Sequence, residues 1–177
     1  MNLAELLVVV ALSLALLAGT YSLSHAPGAV ASSSLGLPRL IDEARALAAA
    51  SGDGATVILS PKKLSSGGAG DFDVALYRNR PHPSASPPLG ATSAGIVLER
   101  TEHLAGSLTS SLAASQQFAI FISTAGTVSY AAWTPAAGPL AQEPPCSAPL
   151  TLRLAAGPTN AAFQLPCDSA SLIRIYE

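Results

Sequence analysis

The chain has 177 residues, enough for one ordinary domain with an extension and too short for two comfortable ones. Only 11% of the residues are charged and the formal net charge is -2, so the overall balance gives no electrostatic reason to expect nucleic acid or a strongly acidic partner. Small residues are abundant, yet hydrophobic ones make up 49% of the chain and persist along its length, which excludes a disordered polar polymer.

Residues 3–23 read LAELLVVVALSLALLAGTYSL, with Glu5 as the single charge and Ser13 as the single polar residue between positions 6 and 17. As a helix this stretch would reach about 32 Å, the thickness of a bilayer core. A secretory signal peptide would open with Lys or Arg, whereas MNLAEL carries no cation and one acid. The small residues Ser24, His25 and Ala26 look like a cleavage site, but Pro27 would follow the cut. A plain anchor leaves Glu5 unexplained, because a carboxylate in an apolar helix is costly unless something pairs with it. The α-amine of Met1 lies four residues back, and the amine of a neighbouring copy would serve equally. Either pairing would be far stronger in hydrocarbon than in water.

The stretch Met1-Asn2-Leu3-Ala4-Glu5-Leu6-Leu7-Val8-Val9-Val10-Ala11-Leu12 resembles the mature N-terminus of type IV pilins and pseudopilins. The resemblance implies that a prepilin peptidase cuts a leader, that Met1 becomes the N-methylated terminus, and that Glu5 neutralises the terminus of an adjacent subunit. Leu6, Leu7, Val8, Val9, Val10, Leu12, Leu14, Leu16 and Leu17 would then bury against other copies in a filament core. It also implies the type IV pilin fold, an α+β arrangement of a long N-terminal hydrophobic helix and an antiparallel β-sheet head. The implied partners are the inner membrane before assembly, the assembly machinery, and further copies in a helical homopolymer outside the cell. No cofactor and no enzymatic activity are implied. The expected function is that of a major pilin-like structural subunit serving adhesion, motility or uptake. A DNA-uptake minor pilin and a type II secretion pseudopilin are the alternatives.

The expected organisation is a hydrophobic helix over 1–24, a linker with a second helix over 25–54, and a β-rich head over 55–177. Gly19, Pro27 and Gly28 weaken helix continuity, so 18–34 is expected to be partly extended in a filament. The second helix is expected over 37–50, with Pro38 in its first turn and Gly52 as its cap. Leu37, Leu40, Ile41, Ala44, Leu47 and Ala48 share one face of it, which should pack on a sheet. Beyond Gly54, short apolar runs predict strands at 55–59, 72–77, 95–100, 117–123, 127–133, 150–155, 161–165 and 171–176, with a hairpin turn at 123–127. Proline-rich loops are expected at 81–88 and 135–149.

Cys146 and Cys167 lack metal-type spacing and a neighbouring His or carboxylate cluster, so a disulfide is the simple expectation. That bond would place the domain in an oxidising compartment. Chemistry-bearing motifs do not emerge. His25, His82 and His103 are dispersed, and Gly67-Gly68-Ala69-Gly70 lacks the Lys-Ser/Thr of a phosphate loop. Asp71 and Asp73 would share one face of a strand but bring too few oxygens for calcium. Lys62, Lys63, Arg78 and Arg80, with His82 nearby, would contact phosphates if their loops converge. A solvated surface is the simpler account of those cations.

Overall fold

In the computed structural model the residues described are 29–63, 69–81, 95–112, 116–140, 144–156 and 159–176. Helix α1 spans Ala29–Ser51 and turns the apolar spacing of its C-terminal half into a buried stripe of Leu37, Leu40, Ile41, Ala44 and Ala48. Gly52, at φ 74°, takes the left-handed conformation that ends a helix. The chain then enters β1 (Ala55–Lys63), β2 (Ala69–Arg78), β3 (Val97–Leu104), β4 (Ser107–Ser110), β5 (Phe118–Ile122), β6 (Val128–Ala131), β7 (Leu150–Ala156), β8 (Thr159–Leu165) and β9 (Ile173–Ile175).

The strands form two antiparallel sheets, one of five strands in the order β3-β2-β1-β5-β6 and one of four in the order β4-β7-β8-β9. Both pack around one interior. Val57 and Leu59 of β1, Phe72, Val74 and Leu76 of β2, and Phe118, Ile120 and Ile122 of β5 point to the same side as the helix stripe. Leu150, Leu152 and Leu154 of β7 and Phe163 and Leu165 of β8 meet them from the second sheet. The five-stranded sheet also buries part of its opposite face. There Ile58, Ile96, Ala119 and Phe121 lie under Trp133, which meets Phe121 edge to face at 5.7 Å and donates from Nε1 to the Gly138 carbonyl at 3.1 Å.

Gly54 sets how closely the helix exit approaches the central strands. Its φ is 83°, and a Cβ there would lie 2.5 Å from the Ile122 carbonyl oxygen. Its own carbonyl accepts from Asn79 N–H at 2.9 Å and from Ser51 Oγ at 2.8 Å. Thr56, buried beside it in β1, donates from Oγ1 to the Asn79 carbonyl at 2.8 Å. The start of β1 and the end of β2 are therefore clamped together by side-chain and backbone bonds.

The expected architecture needs correction. The described residues are mostly β-structure in two sheets with a single α-helix, in place of a long hydrophobic helix on a one-sheet head. The hydrophobic stretch expected as a helix over 1–24 lies outside the described residues. Among the described residues no helix is long and apolar enough to cross a membrane. Two sheets form because β7 and β8 carry their large apolar side chains, Leu150, Leu152, Leu154, Phe163 and Leu165, on alternate positions, so each supplies one buried face. That face has to be laid against α1 and the first sheet, which extending the first sheet would not achieve.

The second helix also starts earlier than its apolar face suggested, at Ala29, so residues 29–34, part of the stretch expected to be partly extended in a filament, are helical in the single chain. Pro38 consequently sits inside α1, where it removes one backbone donor. The buried packing of Leu37, Leu40 and Ile41 around it offsets that loss.

Candidate functional site

Period-2 alternation along β2 puts Asp71 and Asp73 on the face opposite Phe72 and Val74, and the register of β3 sets His103 directly across from Asp73. The imidazole bridges both acids, with Nδ1 2.8 Å from Asp73 Oδ1 and Nε2 3.1 Å from Asp71 Oδ2. Lys62 Nζ closes on the other oxygen of Asp73 at 2.9 Å, and Gly106 N–H donates to Asp71 Oδ1 at 3.1 Å. The Gly106 backbone bond, then the His103 bond, hold the Asp71 carboxyl below its usual range. His103, then Lys62, do the same for Asp73, and the two carboxylates in turn raise the imidazole. The acids are thus consumed by an ion-pair chain. Among the described residues no group of three or more His, Cys, Asp and Glu is arranged to hold a metal.

The sequence-predicted basic patch is taken apart. Ala55 pairs with Arg78 and Lys63 with Ala69, so Lys62 and Arg78 lie near opposite ends of the β1–β2 pair. Seven residues of β1 separate Lys62 from the Arg78 end, roughly 23 Å of strand. Lys62 is paired with Asp73 and Arg78 with Glu99. Arg80 lies against Gly54, and the side chain of Lys63 is outside the described residues, as are His25 and His82. Two further ion pairs tie β3 to the helix: Arg39 reaches Glu102 at 2.9 Å, and Arg100 reaches Glu43 at 3.2 Å. Met1, Glu5 and the aliphatic positions from Leu6 to Leu17 fall outside the described residues.

Cys146 and Cys167 form a disulfide with Cα atoms 5.6 Å apart. It closes the open end of the β7–β8 hairpin, where Leu150 pairs with Leu165. Just beyond it, Val128 N–H donates to the Cys167 carbonyl at 2.8 Å and Ala170 N–H to the Gly126 carbonyl at 2.9 Å. Tyr130 Oη donates to the Ala148 carbonyl at 2.5 Å. These bonds fasten the stapled hairpin to the β5–β6 edge of the first sheet.

One site was not legible beforehand. The side of the four-stranded sheet turned away from the interior carries a groove of about 420 Å3, lined by Thr109, Arg153, Asn160 and Ile175 over a floor that includes Ala155 and Ala162, with Arg174 and Tyr176 at its β9 edge. The register explains it: Thr109 is opposite Arg153, Arg153 opposite Ala162, and Ala162 opposite Ile175, so small and large side chains alternate across the strands. Among the described residues that line it, none is acidic. A second depression of about 260 Å3 continues from it past Thr109 and Arg153 to Ser111 and Thr151. Arginine at an outward position of an alternating strand is ordinary in sequence, and β4, the polar wall of the groove, lacks an apolar run that would have revealed it.

Comparison of the chain with protein-family models, with curated proteins and with solved structures yields no match.

Proposed function

We propose that the chain is a structural subunit of a type IV pilus-type filament. A hydrophobic N-terminal segment provides the polymerising core, and the disulfide-stapled β-rich domain forms the coat. The observation that carries this reading is Glu5, the one charge in a stretch of 21 otherwise uncharged residues. An acid in that setting is costly alone and favourable beside an amine, so it favours a register in which one subunit meets the terminus of the next. Burying about ten large aliphatic side chains between copies, at roughly 1.5–3 kcal/mol each against water, would hold such a core together outside the membrane.

Two features of the described domain agree with this role. The Cys146–Cys167 bond suits an oxidising, extracytoplasmic setting. Helix α1 is packed into the domain from Leu37 to Ala48, so load on the chain before it would be passed to both sheets. The DNA-uptake alternative is less favoured, because Lys62 and Arg78 lie near opposite ends of the β1–β2 pair and each is paired with a carboxylate.

The test is assembly. Glu5→Ala subunits, expressed in place of the parent, should leave the sheared surface fraction nearly empty of filaments while the membrane pool persists. Intact mass of the parent chain from that fraction should report leader removal, one N-terminal methyl group and the disulfide together. Filaments of Glu5→Ala with undiminished yield and order would refute the proposal.

A further inference from the structure

The outermost strands of a sheet carry free backbone groups that can accept another strand, and most folds obstruct them. Three of the four edges here are obstructed. Strand β3 presents Glu99, Arg100, Glu102 and His103, each tied to a partner on another element. At the start of β6 the N–H of Val128 is taken by the Cys167 carbonyl. Strand β4 reads SLTS, short and rich in hydroxyls. Strand β9 differs: it reads IRI, is followed by Tyr176, and pairs with β8 alone among the described residues. Two of the large apolar side chains that stand exposed among those residues, Ile173 at 51% and Tyr176 at 87%, lie on it or next to it.

Alternation divides the side chains of β9 between two faces. Ile173 and Ile175 lie opposite Gln164 and Ala162 and so face away from the interior. Arg174 lies opposite the buried Phe163 and takes the inner side, at a point the core does not cover. Tyr176 is on that side too, with the Arg174 guanidinium 5.4 Å from its ring centroid, and the other face of the ring is open.

This edge is complementary to itself. When β9 of one copy is laid antiparallel beside β9 of another, residues opposite each other share a face. With Ile175 set against its own counterpart, Arg174 of each copy falls opposite Tyr176 of the other. Each guanidinium then has one ring on its own strand and one across from it, and the isoleucines meet on the outer face. Centring the pair on Arg174 would instead set like charges opposite each other, which is unfavourable. We propose that β9 is a homotypic docking edge, through which two copies of this chain join their four-stranded sheets into one, antiparallel about Ile175. Such a contact is two-fold and closes at the pair, so it cannot propagate a filament and is separate from assembly through Glu5.

The experiment oxidises the full chain in detergent micelles with one thiol added at a time. Ile175→Cys should give a disulfide-linked dimer, its bond mapped to position 175 by peptide mass. Ile173→Cys, which is exposed but four residues of strand or about 14 Å from its counterpart in this register, should give at least about tenfold less. Sedimentation of the unoxidised parent should show a monomer–dimer equilibrium. Ile175→Lys sets two like charges together and should raise the dissociation constant at least about tenfold, and Arg174→Gln should raise it at least about threefold. Leu98→Lys, on the β3 edge, should leave it unchanged. Glu5→Ala chains should dimerise as the parent does, which separates this contact from the assembly proposed above. Near-UV circular dichroism from Trp133 shows that each variant is folded. Absence of a bond at position 175, equal bonding at 173 and 175, an unchanged dissociation constant in folded Ile175→Lys, or loss of the pair in Glu5→Ala would each overturn the proposal. Shielding of the thiol at position 175 from a water-soluble maleimide by micelles, with no dimer formed, would overturn it in favour of a lipid surface.

Discussion

The two sheets of this domain solve the same problem with different sequences. The five-stranded sheet is buried on both sides at its centre, and β5 accordingly reads FAIFI, with all five residues buried. The four-stranded sheet is covered on one side only, and β7 reads LTLRLAA, apolar at Leu150, Leu152 and Leu154 and polar or small between them. The difference lies in what each can afford to display. Outward positions of the first sheet are spent on a second small core under Trp133 and on ion pairs, whereas those of the second present hydroxyls and arginine to solvent.

That contrast is most sharply broken at the interior the sheets share. Phe118 is 2% exposed and stands on β5 facing both α1 and the second sheet, so Phe118→Ala should destabilise the domain by about 3–5 kcal/mol through lost contacts and a cavity. Because the interior is common, both sheets should melt in one transition shifted to lower denaturant, read by Trp133 fluorescence and by far-UV circular dichroism together. If the two signals separate, the sheets are independent units and the shared core is not what joins them.

The disulfide acts on one side of the comparison. It spans 21 residues, and cutting it should cost about 3 kcal/mol in the chain-entropy model. The loss should be local: in Cys146→Ser/Cys167→Ser, amide exchange should quicken across β7 and β8 well before β1, β2 and β5 respond. Uniform acceleration across both sheets would show that the staple supports the whole domain.

Much of this domain could be read from the order of residues, and the failures have identifiable causes. Strands β1, β2, β5, β7 and β8 were found nearly in place because each carries an apolar run or a clean alternation that burial demands. Strand β4, SLTS, was missed because only Leu108 is buried in it and its place comes from pairing with β7. Strand β3, expected over 95–100, runs over Val97–Leu104, and its far end is not signalled because ERTEH has no apolar run. Its polar side chains are held by partners on other elements, Arg39 and Glu43 on α1 and Asp71 and Asp73 on β2. Division into two sheets was illegible for a similar reason, since alternation reports that a strand has one buried face and says nothing about which sheet it joins. For the basic patch, conditional on its loops converging, sequence order says nothing of distance, and the antiparallel β1–β2 register sets Lys62 and Arg78 near opposite ends of the pair. The groove depends on cross-strand rows, which appear only once the register is known.

The smallest expected effect concerns the corner where the chain passes from one sheet to the other. Gly106 lies in that turn, between β3 and β4, and its N–H is held by Asp71, which is held by His103. The groups facing the imidazole are Asp71 and Asp73 from β2, with Lys62 of β1 behind Asp73. Since folding raises the His103 pKa, its contribution is fully present below the ordinary value of 6.5 and fades as pH rises through the higher folded value. Folding lowers Asp71 and Asp73, so their contribution is present above the ordinary value of 3.8 and fades as pH falls through the lower folded values. The cluster therefore stabilises most between those two limits. All three side chains are substantially exposed, so each pair is worth less than about 1 kcal/mol and weakens with salt. Wild type should show a melting temperature that declines from pH 6 toward pH 9, and His103→Gln should flatten that decline while leaving the acid limb in place. Asp71→Asn should flatten part of both limbs, because it removes the carboxylate that serves the imidazole and the turn together. A wild-type profile unchanged by His103→Gln would mean that the bridge across β2 and β3 carries no stability, and the corner between the sheets would then rest on the Leu104 and Leu108 side chains alone.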